Sequence, residues 1–157
     1  MEPSRGGIAD RLDHVSIGTR SIAAMVPLLR DVLGARFLMG STELAQGFRW
    51  AQFQFPGGGV IELIEPVGVQ GFLHDFLQQR GEGLHHITLR VRDIEKRAAE
   101  LEQLGYRPFR PNYANPVWKE LFLHPKETHG VLIQLAESEL PYSREVEYYQ
   151  QLELDNI

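Results

Sequence analysis

The chain has 157 residues, of which 43% are hydrophobic and 24% charged, so its composition is that of a globular domain and excludes coiled-coil, collagen-like and low-complexity proteins. Its formal net charge of −5 gives no electrostatic attraction to a phosphate backbone, which argues against nucleic acid as a partner. Because cysteine is absent, any bound metal must be held by histidine, carboxylate or amide groups.

Hydropathy along the chain also limits its location. No apolar stretch approaches the roughly 18 residues that a membrane helix requires, and the first residues lack the apolar core of a secretory signal. The sequence therefore predicts a cytoplasmic protein with no membrane partner.

An internal repeat relates the two halves of the chain. The segment LDHVSI at 12–17 alternates apolar and polar residues, and LHHITL at 84–89 repeats it with a histidine at the same place. The offset is 72 residues (from 14 to 86). Repetition of a whole strand pattern at a fixed offset indicates two similar structural modules.

A helical pattern follows each repeated strand. Ser21 and Asp93 stand at the predicted N-caps, and the two patterns stop at Gly34 and Gly105, since glycine most easily adopts the left-handed C-terminal cap. Pro27 lies inside the first pattern, so we expect that helix to kink or to start late.

Each half continues with two predicted strands, which gives the order β-α-β-β with a short final strand possible before Pro56 and Pro125. A predicted linker helix over about 70–81 joins the halves. The predicted strands are 48–55 and 60–64 in the first half and 119–123 and 131–135 in the second.

These patterns predict one domain at 8–137, made of a first module at about 8–66 and a second at about 82–137. The remainder, 138–157, is predicted to be a C-terminal extension. Its segment SREVEYYQQLEL has the pattern of an extra helix that packs Tyr148, Tyr149 and Leu152 on the body or on a second subunit.

Four residues in equivalent positions form a candidate metal site. Glu62 shares a strand face with apolar residues, where a carboxylate is costly unless it is paired, protonated or bound to a cation. It follows His14 by 48 positions, as Gln134 follows His86. A pseudo-twofold axis would bring all four side chains together, and two imidazoles with two oxygen donors suit a divalent first-row metal.

The other histidines have simpler interpretations. His85 is adjacent to His86 and is expected to point to the opposite face, with a hydrogen bond beneath the sheet, so that His85→Ala should retain metal. His74 and His129 fall in helix and loop patterns and are expected to be solvated.

Three segments resemble the vicinal oxygen chelate superfamily, which includes glyoxalases, extradiol dioxygenases and bleomycin resistance proteins, and within it they are most similar to the methylmalonyl-CoA epimerases. They are LDHVSIGT at 12–19, FLHDFLQQRGEGLHHITLRVRDI at 72–94 and LFLHPKETHGVLIQL at 121–135. The resemblance covers about residues 8–137. It implies an α+β fold of two tandem βαβββ modules that form a curved mixed sheet around a metal site.

The resemblance also implies the site. His14, Glu62, His86 and Gln134 match the metal ligands, with the carboxylate and the amide exchanged between halves relative to the epimerase pattern. The implied cofactor is a divalent metal, namely cobalt, manganese, nickel, zinc or iron. The family is usually dimeric, so a homodimer with a small-molecule substrate, an acyl-CoA thioester, is expected.

Such a site suits abstraction of an acidic proton next to a thioester carbonyl, through an enolate that the metal stabilises. Glu62 is the predicted ligand and base in turn, and Gln134→Glu is predicted to be tolerated. The second acid or base is left open among Glu43, Glu120, His124 and a metal-bound water.

The epimerase pattern has a further catalytic glutamate in the strand after Gln46-Gly47, and two of the predicted substrate contacts of this chain lie in the same region. This chain has Arg49 and Trp50 in that region. Arg49 and Lys126 are candidates for the phosphate or carboxylate groups of a coenzyme A thioester, and Trp50 is a further candidate substrate contact.

Three other functions share parts of the pattern. A glyoxalase-type isomerase or lyase would use the same ligands on another substrate, and an extradiol-type dioxygenase would use His14, His86 and Glu62 with iron. The third is a metal-free drug-binding dimer with an aromatic groove. The candidate groove residues are Trp50, Phe53, Tyr113 and Trp118.

Overall fold

The structure, a computed structural model, describes residues 6–150. Strands and helices both contribute to this range, and the predicted α+β class is confirmed. No helix in the described range is long and apolar enough to cross a bilayer. The strands are β1 (Ala9–Gly18), β2 (Arg36–Glu43), β3 (Phe48–Gln54), β4 (Val60–Pro66), β5 (Gly83–Val91), β6 (Phe109–Asn112), β7 (Lys119–Leu123) and β8 (Ile133–Glu137). The α-helices are α1 (Ile22–Val26), α2 (Phe72–Arg80), α3 (Ile94–Gln103) and α4 (Tyr142–Gln150).

The chain divides into two compact units. Of the described residues, the first unit contains 14–86 and 141–150, and the second contains 6–13 and 87–140. In the first unit the strand order is β2-β3-β4-β1, with β4 and β1 parallel and the other pairs antiparallel. The second unit repeats this order as β6-β7-β8-β5, again with one parallel pair. Each set of four strands therefore contains both parallel and antiparallel pairs.

The third strand of each half does not lie where the sequence predicted it. The expected final strands before Pro56 and Pro125 are wrong, because β2 and β6 instead follow directly after the helical segments. Strand β6 carries little apolar alternation, because it has only four residues, which are mostly exposed and include Pro111. Strand β8 also begins two residues later than predicted.

The first helix starts directly after Ser21 rather than late, and its hydrogen-bond pattern changes at Pro27. Helix α1 ends at Val26, and a π-helical segment over Pro27–Val32 follows it. Proline has no backbone N–H to donate within a helix, which explains the change at this position. Together these segments cover one face of the first unit's sheet. The core on that face contains Ile22, Leu29, Ala35, Ala51, Phe53 and Leu63.

The helix caps combine a predicted and an unpredicted feature. The Ser21 side chain accepts a 3.2 Å hydrogen bond from the backbone N–H of Ala24, as expected of an N-cap. Asp93 is the N-cap residue of α3, as predicted, but its side chain makes no capping hydrogen bond. The Glu137 carboxylate instead accepts 3.0 Å hydrogen bonds from the backbone N–H groups of Asp93 and Ile94.

Helix α4 packs on the first unit. Gln150 Nε2 donates a 2.8 Å hydrogen bond to the carbonyl of Leu38 in β2, and the ring of Tyr149 lies 4.9 Å from that of Trp50. The predicted packing of Tyr149 is confirmed, whereas Tyr148 is 40% exposed. Leu152 lies outside the described residues.

Candidate metal centre

Strand alternation in the first unit separates a polar site face from the apolar core face. Gln52 and Glu62 are cross-strand partners in β3 and β4, and Ser16 of β1 is in register with Glu62. Paired residues project to the same face, so these side chains converge opposite the core that contains Phe53. His14 lies two residues before Ser16 and shares its face.

Three potential metal ligands meet on this face. One ligand atom from each of His14, Glu62 and His86 lies within 4.8 Å of the others. His14 Nε2 is 3.3 Å from Glu62 Oε2, and His86 Nε2 is 4.0 Å from Glu62 Oε1. The three side chains are only 1%, 10% and 8% exposed, respectively. We call them the His-Glu-His cluster.

The carboxylate of Glu62 is held by hydrogen bonds from both neighbouring strands. Ser16 Oγ donates to Oε1 at 2.9 Å, and Gln52 Nε2 donates to Oε2 at 2.9 Å. Burial alone would raise the pKa of the Glu62 carboxyl. The charge and hydrogen bond of His14 act in the opposite direction, with smaller contributions from His86 and Gln52, and the pKa falls from its usual 4.5 to about 2.

This environment bears on the two roles predicted for Glu62. A carboxylate with a pKa near 2 is fully ionised at neutral pH and is therefore ready to bind a cation. The same low pKa makes it a weak proton acceptor, because an efficient general base has a pKa near the working pH. In the metal-free site, the low pKa of Glu62 thus suits a ligand better than a general base.

His85 does not make the hydrogen bond expected beneath the sheet. Its Nδ1 lies 2.8 Å from Nδ1 of His86, so it is bonded directly to a member of the cluster. Its ring also packs against Phe76 and Phe72 of α2, with ring centroids 4.7 and 5.6 Å away. Burial lowers the pKa of His85 to about 4 despite the opposing charge of Glu62.

Gln134 lies in the second unit, where it makes the contacts that correspond to those of Glu62. Its side chain is buried, and its Oε1 accepts a 2.6 Å hydrogen bond from Thr88 Oγ1, as Glu62 accepts from Ser16. Its Nε2 donates a 2.6 Å hydrogen bond to Oε2 of Glu120. The amide is thus fixed in orientation by two partners.

The predicted substrate contacts lie in different surroundings. Trp50 is on the site face of β3, two residues from Gln52, and its indole Nε1 donates to Glu43 at 3.3 Å. Arg49 has the alternate orientation and pairs with Glu65 at 3.3 Å, a contact that favours a structural role. Lys126 is exposed in the turn after β7.

The three protein groups considered as second acid or base differ in their burial and in their hydrogen bonds. Glu43 and Glu120 are half-buried, and each accepts a hydrogen bond from an indole N–H, in the case of Glu120 from Trp118 at 2.9 Å. His124 is exposed, and its Nδ1 accepts the backbone N–H of Lys126. The two carboxylates are therefore less exposed than the His124 imidazole, and each is oriented by an indole N–H.

The remaining predictions on histidines and aromatics have mixed outcomes. His129 is exposed, as expected, whereas His74 is half-buried and its Nε2 lies 3.1 Å from the carbonyl of Gly68. The predicted place of Phe53 in an aromatic groove is wrong, since it is buried in the core on the opposite face from the cluster. In the second unit, Tyr113 packs against the core beside α3, and Arg90 lies 4.6 Å from the ring of Trp118.

Sequence reasoning did not identify Gln52, although a signal for it exists. A polar residue stands between Ala51 and Phe53 in the middle of a strand that is otherwise buried there. Buried amides are retained where their hydrogen bonds are satisfied, and Gln52 meets that condition through Glu62.

Comparison with known proteins identifies the family. The model of the Glyoxalase/Bleomycin resistance protein/Dioxygenase superfamily matches residues 13–122. The chain belongs to this superfamily. Among its relatives, the Uncharacterized protein YqjC of Bacillus subtilis (strain 168) is 34% identical over 130 residues, which are 82% of this chain and 92% of that protein.

Two further matches are named epimerases. The ethylmalonyl-CoA/methylmalonyl-CoA epimerase of Cereibacter sphaeroides is 31% identical over an alignment of 134 residues, and the match covers 81% of this chain and 97% of that protein. A variant of Streptomyces coelicolor methylmalonyl-CoA epimerase, solved in complex with 2-nitronate-propionyl-CoA, superimposes with a TM-score of 0.75 at 30% identity. That match covers 83% of this chain and 96% of the solved one. The superfamily resemblance predicted from the sequence is confirmed.

Proposed function

We propose that the protein is a divalent-metal-dependent epimerase of the methylmalonyl-CoA type, which inverts a carbon next to a thioester carbonyl by removing and returning its hydrogen. The buried His-Glu-His cluster carries this proposal, because it supplies two imidazoles and an ionised carboxylate at one buried point of the site face. The epimerase names of the relatives support the substrate class.

The cluster fits a first-row divalent metal. Two imidazole nitrogens and one carboxylate oxygen suit cobalt, manganese, nickel, zinc or iron. We assign His14, Glu62 and His86 as ligands, and Gln134 as the fourth. A divalent cation held there would act as a Lewis acid toward the thioester carbonyl and make the neighbouring hydrogen more acidic.

Proton transfer is assigned to residues other than the ligands. Epimerisation needs one group to take the proton and another to return it on the opposite side of the carbon. Glu43 and Glu120 are the candidates, because each carboxylate is half-buried and oriented by an indole N–H. Trp50, which orients Glu43, is assigned as a substrate contact.

The central experiment measures exchange of the substrate's α-hydrogen. Methylmalonyl-CoA in deuterated water is followed by proton NMR with the apoprotein reloaded with cobalt, manganese, nickel, zinc or iron. We expect exchange with at least one metal and none after chelation. His129→Ala, which removes an exposed histidine, is the control and should behave as wild type. Absence of exchange with every metal would exclude the epimerase.

Substitution of the two carboxylates tests their assignment. In a two-base mechanism, a variant that lacks one base still exchanges the hydrogen of one epimer with solvent but no longer inverts it. We expect Glu43→Gln and Glu120→Gln to retain metal and to show this behaviour with opposite epimers. Full inversion by both variants would remove these residues from the mechanism.

An extradiol-type dioxygenase is the second candidate. The observation that favours it is the composition of the cluster, since two histidines and one carboxylate are the ligand set of non-haem iron oxygenases. Oxygen consumption with a catechol by the iron-loaded protein, without α-hydrogen exchange, would establish it in place of the epimerase.

We also propose a cytoplasmic homodimer. A closed symmetric pair is the commonest assembly of small enzymes, and the resembled family is usually dimeric. Light scattering at micromolar concentration should give twice the chain mass, and a monomer would refute the assignment. Cell fractionation tests the compartment.

A further inference from the structure

Two adjacent imidazoles at the start of β5 form a direct pair. The Nδ1 atoms of His85 and His86 are 2.8 Å apart, and their rings are nearly perpendicular, at 82°. Neighbouring strand residues usually project to opposite faces, so a bond between their side chains needs a reason beyond strand geometry. Helix α2 supplies the local cause, because the rings of Phe72 and Phe76 pack against His85 and hold it toward its neighbour.

The distance restricts where the hydrogens lie. Two ring nitrogens at hydrogen-bond distance share one hydrogen, so one Nδ1 donates and the other accepts. If His85 donates, the hydrogen of neutral His86 is on Nε2, the atom that faces Glu62. If His86 donates, its Nε2 carries a lone pair instead. Only the second arrangement leaves the Nε2 of His86 able to bind a cation.

We propose that His85 is a positioning residue whose Nδ1 accepts the Nδ1–H of His86 and so presents the His86 Nε2 lone pair to the metal. This inference rests on the proposed metal centre. It assigns to His85 the orienting function that carboxylates or backbone carbonyls commonly serve behind a metal-binding histidine.

Matched substitutions separate the hydrogen bond from the packing. His85→Phe keeps an aromatic ring between Phe72 and Phe76 but removes the acceptor, whereas the Oδ1 of His85→Asn can take the place of Nδ1. We expect zinc affinity, measured by competition with a chelator, to fall by about 10- to 100-fold in His85→Phe. Affinity should recover largely in His85→Asn. His129→Asn, at an exposed position with a φ of 57°, is the control.

Long-range proton–nitrogen NMR of histidine-labelled protein gives a second readout that does not depend on activity. In the zinc-loaded wild type we expect the hydrogen of His86 on Nδ1 and that of His85 on Nε2. This measurement also applies if His85→Phe does not fold, which circular dichroism would show. The opposite hydrogen placement in the zinc complex would overturn the inference.

The outcomes distinguish this inference from the proposed function. Equal zinc affinity of wild type and folded His85→Phe would overturn the role of His85 while leaving the metal centre intact. A wild-type protein that binds none of the candidate metals would overturn both. Loss of affinity in His85→Phe with recovery in His85→Asn would support the positioning role.

Discussion

Ser16 donates a 2.9 Å hydrogen bond to Oε1 of Glu62 across the parallel pair of strands β1 and β4. The second unit repeats this contact 72 residues later, where Thr88 donates to Oε1 of Gln134 at 2.6 Å. A hydroxyl from the first strand of each unit thus orients the side chain that we assign as its oxygen ligand. The repeat therefore extends beyond the histidines to the residues that hold the oxygen donors.

Removal of these hydroxyls should affect stability unequally. Both Ser16 and Thr88 are fully buried, and loss of a donor leaves a buried acceptor unsatisfied, at a cost of about 1–3 kcal/mol. A charged acceptor loses more than a neutral one, so we expect Ser16→Ala to lower the free energy of unfolding more than Thr88→Val does. Urea denaturation of the apoproteins measures both values. A larger effect of Thr88→Val would contradict the ionised state of Glu62.

Removal of an imidazole should remove most of the bound metal. His14→Ala and His86→Ala each delete one of about four protein ligands, so we expect metal content to fall to a small fraction of wild type. Elemental analysis after gel filtration measures it. The exposed His129→Ala serves as the control and should bind metal fully. Full occupancy in both cluster variants would disprove the ligand assignment.

The low pKa of Glu62 predicts a specific dependence of stability on acid. Its folded pKa of about 2 lies below the usual 4.5, so its contribution is present above pH 4.5 and is lost as the pH falls toward 2. Glu62→Gln lacks this contribution. The metal-free wild type should therefore lose more unfolding free energy than Glu62→Gln between pH 5 and 2.

A surface carboxylate gives the comparison for this acid titration. Glu147 pairs with Arg144 at 3.0 Å on the exposed side of α4, so Glu147→Gln should lose stability with pH as wild type does. Parallel acid profiles for wild type and Glu62→Gln would mean that Glu62 is not held ionised by the histidines.

The cluster could be predicted from the sequence because the candidate ligands recur at a fixed spacing in the two halves. Equal separations of 48 residues within each half and an offset of 72 between halves pointed to His14, Glu62, His86 and Gln134. The first three of these side chains do lie together. A repeat identifies such positions without any knowledge of loop geometry, since related modules place equivalent residues equivalently.

Other features were not predictable because they depend on contacts between distant segments. The bond between His85 and His86 follows from the packing of Phe72 and Phe76, which strand alternation does not describe. The Glu137 side chain replaces that of Asp93 in capping α3, from a strand 43 or more positions away. Single-sequence patterns register local preferences, and tertiary contacts override them at these sites.

The contact between Glu120 and Gln134 revises the expectation that Gln134→Glu is tolerated. Gln134 Nε2 donates to Glu120 Oε2 at 2.6 Å, so a glutamate at 134 would place two carboxylates against each other. Like charges at this distance cannot both remain ionised, and the pKa of one of them must rise. We expect Gln134→Glu to lose about 1–3 kcal/mol of unfolding free energy at pH 8, and less at pH 5.

A second substitution should restore the pair with its roles reversed. In the double variant with Glu120→Gln, the amide at 120 donates to the carboxylate at 134, so the hydrogen bond and the net charge of wild type both return. Urea denaturation at pH 8 should then give the double variant a free energy of unfolding close to that of wild type. Glu120→Gln alone should be no more stable than wild type. If Gln134→Glu is as stable as wild type at pH 8 and the double variant gains nothing, the two residues are not coupled. Gln134→Glu would then be tolerated, as expected from the sequence.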